Sequence, residues 1–450
     1  MLEKNKKGVR KILNSVWDRI IILLIVAAIG LAIFFIVGGD DSKEIGQGDT
    51  EEKAQGDSKE IGQGDTKEKT SYCALQVSRG LCYASGDGVE KDLIKAVECF
   101  RNAAEQCDAV GQRYLGICYE EGKGVVQDRE AAAQLYSKSA EQGDAVAQWR
   151  LGVCYEQGKG IGKDIANAVK WYHKSAQQGD ASGQRLLGIC YQNGNGIGKN
   201  LEEAARLYGK AADQGDVLAQ GRLGVCYEYG LGIKKDIFEA VKWYRKAADQ
   251  GDAIAQWRLG VCYETGNGVA RNMEEAARLY GKAADQGDVV GQGRLGVCYE
   301  YGLGVKKDIF EAVKWYRKAA DQGDAASQWR IGACYEDGNG VEQNWGEAVR
   351  WYKMSADQGN CNGQRLLGWC YEYGYGVSKD LNEAVRLCRL AAEQNDSIAQ
   401  YRMGTYYENG EGVEQSDKNA LYWFRLAESN GNEKASKRIR QILSKKVTVE

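Results

Sequence analysis

The sequence contains no proline and only one histidine, His173, in 450 residues. Proline costs about 3 kcal/mol inside a helix, so a chain without it carries no built-in breaks and suits long helical runs. A single histidine cannot supply a histidine-based metal site or a histidine-paired nucleophile repeated along a chain. His173 lies where Arg245 and Arg317 stand in related segments, and it reads as a solvated helix residue. An excess of positive charge is also missing. Sixty Lys and Arg face 63 Asp and Glu, a net charge of −3, which leaves no basic field to hold a phosphate backbone and sets nucleic acid aside as a partner. No serine is followed three residues later by lysine, so the usual Ser-x-x-Lys nucleophile is absent. The glycine-rich stretches, such as GLGIKK at 230–235, lack the GK[ST] ending of a phosphate loop and read as helix stops.

What is present begins with a run of 18 mostly apolar residues, Ile20 to Val37. At about 1.5 Å per residue this nearly crosses a hydrocarbon core of about 30 Å. Lys4, Lys6, Lys7, Arg10, Lys11 and Arg19 precede it, and Asp40 and Asp41 follow. The positive-inside bias keeps the N-terminus cytoplasmic and sends the remainder across, to a periplasm or lumen. The run exceeds the apolar region of a cleaved signal peptide, so it reads as an uncleaved signal anchor. Residues 1–19 are then a basic cytoplasmic segment, 20–39 the transmembrane anchor and 40–70 a flexible linker. The linker holds DSKEIGQGDT twice, at 41–50 and 57–66, and has too few apolar groups to offset the cost of ordering.

Beyond it the chain repeats with a period of 36 residues. The marker is L-G-x-C-Y-E-x-G-x-G, with its first glycine at Gly80, Gly116, Gly152, Gly188, Gly224, Gly260, Gly296, Gly332, Gly368 and Gly404. EAARLYGKAADQGDV at 203–217 recurs at 275–289, a shift of 72, so a block of two repeats is itself duplicated. Each repeat predicts two helices. Helix A opens at a capping Asp or Asn, as at Asp144, Asp180 and Asn360, and stops at a G-x-G pair such as Gly158 and Gly160. Helix B opens at another Asp or Asn. In six repeats a Glu follows three residues later, as in Asp236/Glu239 and Asn344/Glu347, predicting a capping box. Helix B ends at Gln-Gly, as at Gly251, with Asn395 in the same role. Two short helices cannot bury their apolar faces alone, so the prediction is an all-α superhelical solenoid of about ten helix-turn-helix repeats over 71–433, preceded by one transmembrane helix. Residues 434–450 carry Ile439, Ile442 and Leu443 on one side and read as a cap helix.

The stretch Ala219 to Asp252, with L-G-x-x-Y-E-x-G-x-G and then E-A-V-x-W-Y-x-K-A-A-x-Q-G-D, closely resembles the Sel-1-like repeat family, a relative of the tetratricopeptide repeats. The resemblance covers about 73–433. The family commonly has a proline in the loop before helix B, and this chain has none. It implies an adaptor or scaffold that binds proteins or peptides, in a bacterial envelope or in a lumenal quality-control complex, with no cofactor and no enzymatic role. Some cysteine-rich relatives are assigned β-lactamase or penicillin-binding activity, which makes a cell-envelope enzyme or cell-wall-binding protein the alternative. Those relatives carry a disulfide in each repeat, whereas most repeats here hold one Cys.

Nine of the fourteen cysteines share one repeat position, from Cys82 and Cys118 to Cys370. Packed helices lie about 8–10 Å apart and a disulfide needs Cα atoms within about 7 Å, so equivalent cysteines in adjacent repeats do not pair. They read as buried thiols, not as metal ligands or redox groups. A disulfide among Cys73, Cys99 and Cys107 is left open.

Comparing repeats separates fixed from variable positions. In helix A the variable ones fall three before, one after and five after the marker glycine, in steps of four that share a helix face. The first set includes Trp149, Arg185, Gly221, Trp257, Gly293, Trp329, Arg365 and Tyr401; the second includes Trp369; the third includes Tyr229, Tyr301 and Tyr373. Cores resist Trp-to-Gly exchange, and Trp, Tyr and Arg are enriched at binding hot spots. The face therefore reads as a partner-binding groove anchored by Trp149, Arg185, Trp257, Trp329, Arg365, Tyr401, Tyr229, Tyr301, Tyr373 and Trp369. A near-constant acid four after the marker, such as Glu120, Glu156, Glu228 and Glu264, has two readings: recognition of basic segments, or structural pairing with Arg150 and its equivalents. The helix-B pair Trp243-Tyr244 reads as core.

Overall fold

The computed structural model describes residues 62–447, with side chains from 68 to 444. The apolar run 20–37, the basic segment before it and the linker up to residue 61 lie outside the described residues. Among those described, no helix is long and apolar enough to cross a membrane. They form twenty-one helices, from α1 (Gly62–Ser85) to α21 (Glu433–Val447), and no strand. Those from Thr66 onward belong to one compact unit. The first helix starts inside the segment read as linker, because Lys67, Glu68 and Lys69 are good helix formers that extend helix A of the first repeat upstream.

One repeat shows the logic of all. Helix A, Ala145–Gln157, is capped by the Asp144 carboxylate, which accepts from the Ala147 N–H. It stops at Gly158, which is left-handed at φ 69° and gives its N–H to the Cys154 carbonyl. Helix B, Ile165–Gln177, starts at Asp164 and is likewise 13 residues long. The second glycine of each G-x-G pair answers to a neighbour as well as to its own backbone. At Gly160 (φ 70°) an added Cβ would lie 1.9 Å from the Arg129 carbonyl oxygen of the preceding repeat. After helix B the left-handed residue is Gly251 at φ 99° or Asn395 at φ 67°, as expected, and also Cys107 at φ 62°, which the sequence reading did not place there.

The capping boxes form only by half. The Asp236 side chain accepts from Phe238 and Glu239, but its own backbone N–H goes to the Tyr227 carbonyl at 2.9 Å. With that donor already used, Glu239 turns instead to Lys242, and Glu203 to Arg206.

The core is shared between repeats. One buried cluster joins Val241 and Tyr244 of one helix B, Leu259 and Cys262 of the next helix A, and Leu279 of the following helix B. Each fully buried side chain of this size stabilises by about 1.5–3 kcal/mol, and a lone repeat would lose the part of this cluster that its neighbours supply. The marker glycine has a specific task here: the ring of the helix-B tyrosine lies flat across it. A Cβ at Gly152 would sit 2.5 Å from Tyr172 Cε1, and one at Gly224 would sit 2.5 Å from Tyr244 Cε1. Tyr244 is core, as expected, whereas Trp243 is half-buried beneath Lys246, whose Nζ lies 3.8 Å from the ring centre. A second buried element escaped the sequence reading. Gln148, four before the marker, donates to the Ala140 carbonyl and accepts from Gln178 at 2.8 Å. Equivalent Gln–Gln bonds link Gln250 to Gln220 and Gln322 to Gln292, forming a polar ladder inside the stack.

All fourteen cysteines are free thiols, including Cys73, Cys99 and Cys107. The terminal helix is an eleventh helix A in register. Ala435, Ile439 and Ile442 are buried, and Arg438 pairs with Glu408 at 2.9 Å. It spans Glu433–Val447, and Leu443 is exposed, because no helix B follows to cover that side.

Helix A of one repeat touches helix A of the next, as Ala145–Gln157 meets Ala181–Asn193, while successive B helices make no contact of that extent. The A helices therefore hold the inner side of the stack.

Candidate partner-binding groove

Four A–B pairs are each locked by a three-residue node. Tyr136 donates its hydroxyl to Glu120 at 2.5 Å, and Arg150 of the next helix A reaches the same carboxylate at 2.9 Å. Tyr244, Glu228 and Arg258 repeat the arrangement, as do Tyr280, Glu264 and Arg294. Burial pushes these phenols well above the usual tyrosine range. The acid row is thus committed to inter-repeat structure, the second of the two readings above. Two exceptions follow from Leu186 and Leu366, which stand where the arginine would be. Glu156 and Glu336 then have their tyrosines, Tyr172 and Tyr352, but no such arginine. Burial holds the Glu336 carboxyl above the usual range.

The predicted anchors fall into three groups. Tyr229, Tyr301 and Tyr373 are the most exposed, at 58%, 58% and 52%. Trp149, Trp257 and Trp329 are half-buried: each packs on the core of its own and the following repeat, and each lies under the guanidinium beside it, with Arg150 at 4.8 Å and Arg258 and Arg330 at 4.6 Å. Tyr401 is half-buried against Phe424 at 5.3 Å. Arg185 and Arg365 are tied down, bonding Asp216 at 3.1 Å and Asp396 at 3.2 Å, the caps of the next helix A. Those caps lie 31 residues ahead, a partner that a single-helix face analysis does not reveal. Trp369 joins Trp345, Tyr373 and Tyr375 in a four-ring cluster with centroids 4.6–5.9 Å apart.

Sequence reasoning missed a further row on this face, six before the marker. Leu218, Ile254, Val290 and Ile398 are exposed there, at 41–52%. Their spacing of three from the first variable set is the signal that would have found them. Beside this row, Gly221 and Gly293 leave gaps of about 280 and 470 Å³ where other repeats carry Trp or Arg.

The equivalent helix-A thiols, apart from the half-buried Cys82, are buried. Burial raises Cys154, Cys226 and Cys262 to about 11 and Cys334 and Cys370 to about 12, so thiolate is scarce at neutral pH. Among the described residues no three His, Cys, Asp or Glu side chains cluster as metal ligands do.

Stacked helical hairpins with a shared core and a variable inner face define an α-solenoid of the interaction-scaffold class. The Sel1 repeat profile matches ten consecutive stretches, from 72–106 and 109–144 to 397–432. The chain belongs to the Sel1 repeat family, whose members are in general protein-interaction scaffolds. It is similar to a protective antigen present in uropathogenic Escherichia coli strains that displays an SLR fold, with 34% identity over 86% of this chain and 91% of that one and a TM-score of 0.60. It is also similar to a Sel1 repeat protein from Oxalobacter formigenes, with 35% identity over 54% of this chain and 96% of that one and a TM-score of 0.50. No curated protein matches.

Proposed function

We propose that this protein is a membrane-anchored adaptor that captures protein or peptide partners along the inner, A-helix face of its solenoid. The observation that carries the reading is the exposed row on that face. Tyr229, Tyr301 and Tyr373 share that face with Leu218, Ile254 and Val290, and all six are exposed. Aromatic side chains with few rotatable bonds, exposed beside apolar neighbours, lose little entropy on binding and bury much area. Buried thiols of raised pKa favour a binding role over a cysteine-based envelope enzyme.

The apolar run 20–37, with basic residues before it and Asp40 and Asp41 after it, supports an anchor that places the repeats on the non-cytoplasmic side. Protease added to intact spheroplasts should digest the repeats, and digestion only after lysis would contradict this topology. For the groove, the full-length protein and its Tyr229→Ala/Tyr301→Ala/Tyr373→Ala variant are compared as baits, with circular dichroism confirming equal helicity. A partner held by the parent and lost by the variant supports the reading. A partner held equally by both moves binding to another surface.

A further inference from the structure

Three repeats carry arginine three before the marker, and in all three it serves the next repeat's helix cap. Arg113 meets Asp144 at 3.6 Å, Arg185 meets Asp216 at 3.1 Å, and Arg365 meets Asp396 at 3.2 Å. The two carboxylate oxygens divide the work. In Asp216 one oxygen accepts the Ala219 N–H at 2.8 Å and the other holds the guanidinium.

At Gly221 and Gly293 this arginine is absent, and the carboxylate that would receive it remains. Asp324 caps its helix through one oxygen, 2.7 Å from the Ser327 N–H, and Asp252 does the same at 2.6 Å from Ala255. Neither has a cationic partner among the described residues. Both carboxylates line cavities, about 470 Å³ beside Gly293 and about 280 Å³ beside Gly221. Asp180 and Asp288 also lack an arginine, but there Trp149 and Trp257 occupy the corresponding position. The cations around the larger cavity are already matched: Arg294 holds Glu264 at 3.0 Å and Arg330 holds Glu300 at 3.2 Å. The unmatched charge is Asp324. Around the smaller cavity Arg258 holds Glu228 at 3.1 Å, but Arg222, over the Tyr208 ring, has no carboxylate partner among the described residues, which makes that cavity the weaker cation site.

We propose that the cavity beside Gly293 receives an arginine side chain from an extended segment of a partner protein, and that the cavity beside Gly221 receives a second, more weakly held one. The guanidinium pairs with Asp324 and takes the place that Arg185 and Arg365 fill within the chain. Val290 and Ala326 line the mouth and cover the aliphatic stem. This rests on the groove reading above and specifies its ligand. Adjacent A helices lie about 8–10 Å apart, so the cavities are separated by roughly 16–20 Å, which five or six extended residues span at about 3.3 Å each.

The test uses full-length protein and a dye-labelled Gly/Ser peptide bearing two arginines six positions apart, beside the same peptide with citrulline for arginine. Anisotropy should show the arginine peptide binding about tenfold tighter, the worth of one charge-assisted hydrogen-bonded pair. Asp324→Asn keeps the helix cap, as Asn360 does naturally, and should remove most of that preference. Asp252→Asn should remove less. Gly293→Arg supplies the missing side chain within the chain and should block the peptide. Its Cβ meets only Ser327 Oγ at 3.1 Å and Asp324 at 3.6 Å, and helicity checks that it folds. Equal binding of the two peptides, or an Asp324→Asn variant that retains the preference, overturns the proposal. If the tyrosine variant above still loses its partner in that case, the groove reading survives without the arginine. If partner capture ignores those tyrosines as well, both fall.

Discussion

Alanine in place of the marker glycine should be harmful in one repeat and harmless in another. In a helix interior Gly→Ala gains about 1 kcal/mol. At Gly152 the new Cβ would stand 2.5 Å from Tyr172 Cε1 and 2.7 Å from Cδ1. That ring is fully buried and its hydroxyl is held by Glu156 at 2.7 Å, so it cannot step aside. Overpacking of this kind costs about 1–3 kcal/mol, and the absence of slack puts Gly152 at the upper end. The net loss is about 2 kcal/mol. Repeat nine differs because Cys388 stands where the tyrosine would be, and the nearest atoms to a Cβ at Gly368 are Ala384 O at 3.2 Å and Leu387 Cβ at 3.4 Å. Gly368→Ala should therefore be neutral, or stabilise by up to about 1 kcal/mol. A repeat array does not unfold in one step, so a single melting temperature would blur the contrast. Native-state hydrogen exchange reads each helix separately. Gly152→Ala should speed exchange in Ala145–Gln157 about thirtyfold, and Gly368→Ala should leave Cys361–Tyr373 unchanged or slower. Equal losses at both sites would refute the ring-on-glycine account, as would a stabilised Gly152→Ala.

Three further outcomes follow from the packing. Cys107→Gly should stabilise the first repeat junction by roughly 1 kcal/mol, because Cys107 sits at φ 62° and glycine carries no penalty there; denaturant titration with local exchange measures it. The Glu336 carboxyl is held above its usual range by burial, so its contribution is present at low pH and is lost as pH rises through the raised folded value; Glu336→Gln should stabilise at pH 7 and lose that advantage below the ordinary glutamate range. A disulfide reagent at pH 8 should modify the exposed Cys107 at once, Cys82 and Cys361 slowly, and the buried thiols only on unfolding; rapid loss of more than three thiols would contradict the burial described.

Much of this was legible in the sequence because it is local. The 36-residue period, the Asp and Asn caps and the left-handed stops at Gly158, Gly251 and Asn395 each depend on residues a few positions apart. What was not legible depends on partners 16, 30, 31 or 34 residues away. The Gln148–Gln178 ladder was overlooked because glutamine is expected outside a core, yet each buried amide finds another one repeat on. Glu228 had two readings, and the Tyr244 hydroxyl that joins Arg258 on its carboxylate decides for the structural one. Arg185 and Arg365 looked like anchors because their helix face was right, but their charge is spent on Asp216 and Asp396. The exchange in the last repeats is of the same kind. Cys388 replaces the helix-B tyrosine, Tyr406 replaces the helix-A cysteine, and the Tyr406 hydroxyl reaches Glu372 from the opposite side. Neither position is interpretable without the other.

The central claim, that partners dock on the inner face of the array, is tested most directly by a photo-cross-linking residue placed in turn at Tyr301 on helix A and at Phe310 on helix B of the full-length protein in its native cells. Both sites are strongly exposed, at 58% and 65%, and nine residues apart in sequence. Discrete adducts from position 301 and none from 310 are the predicted result. Adducts from 310 alone, or equally from both, would contradict it.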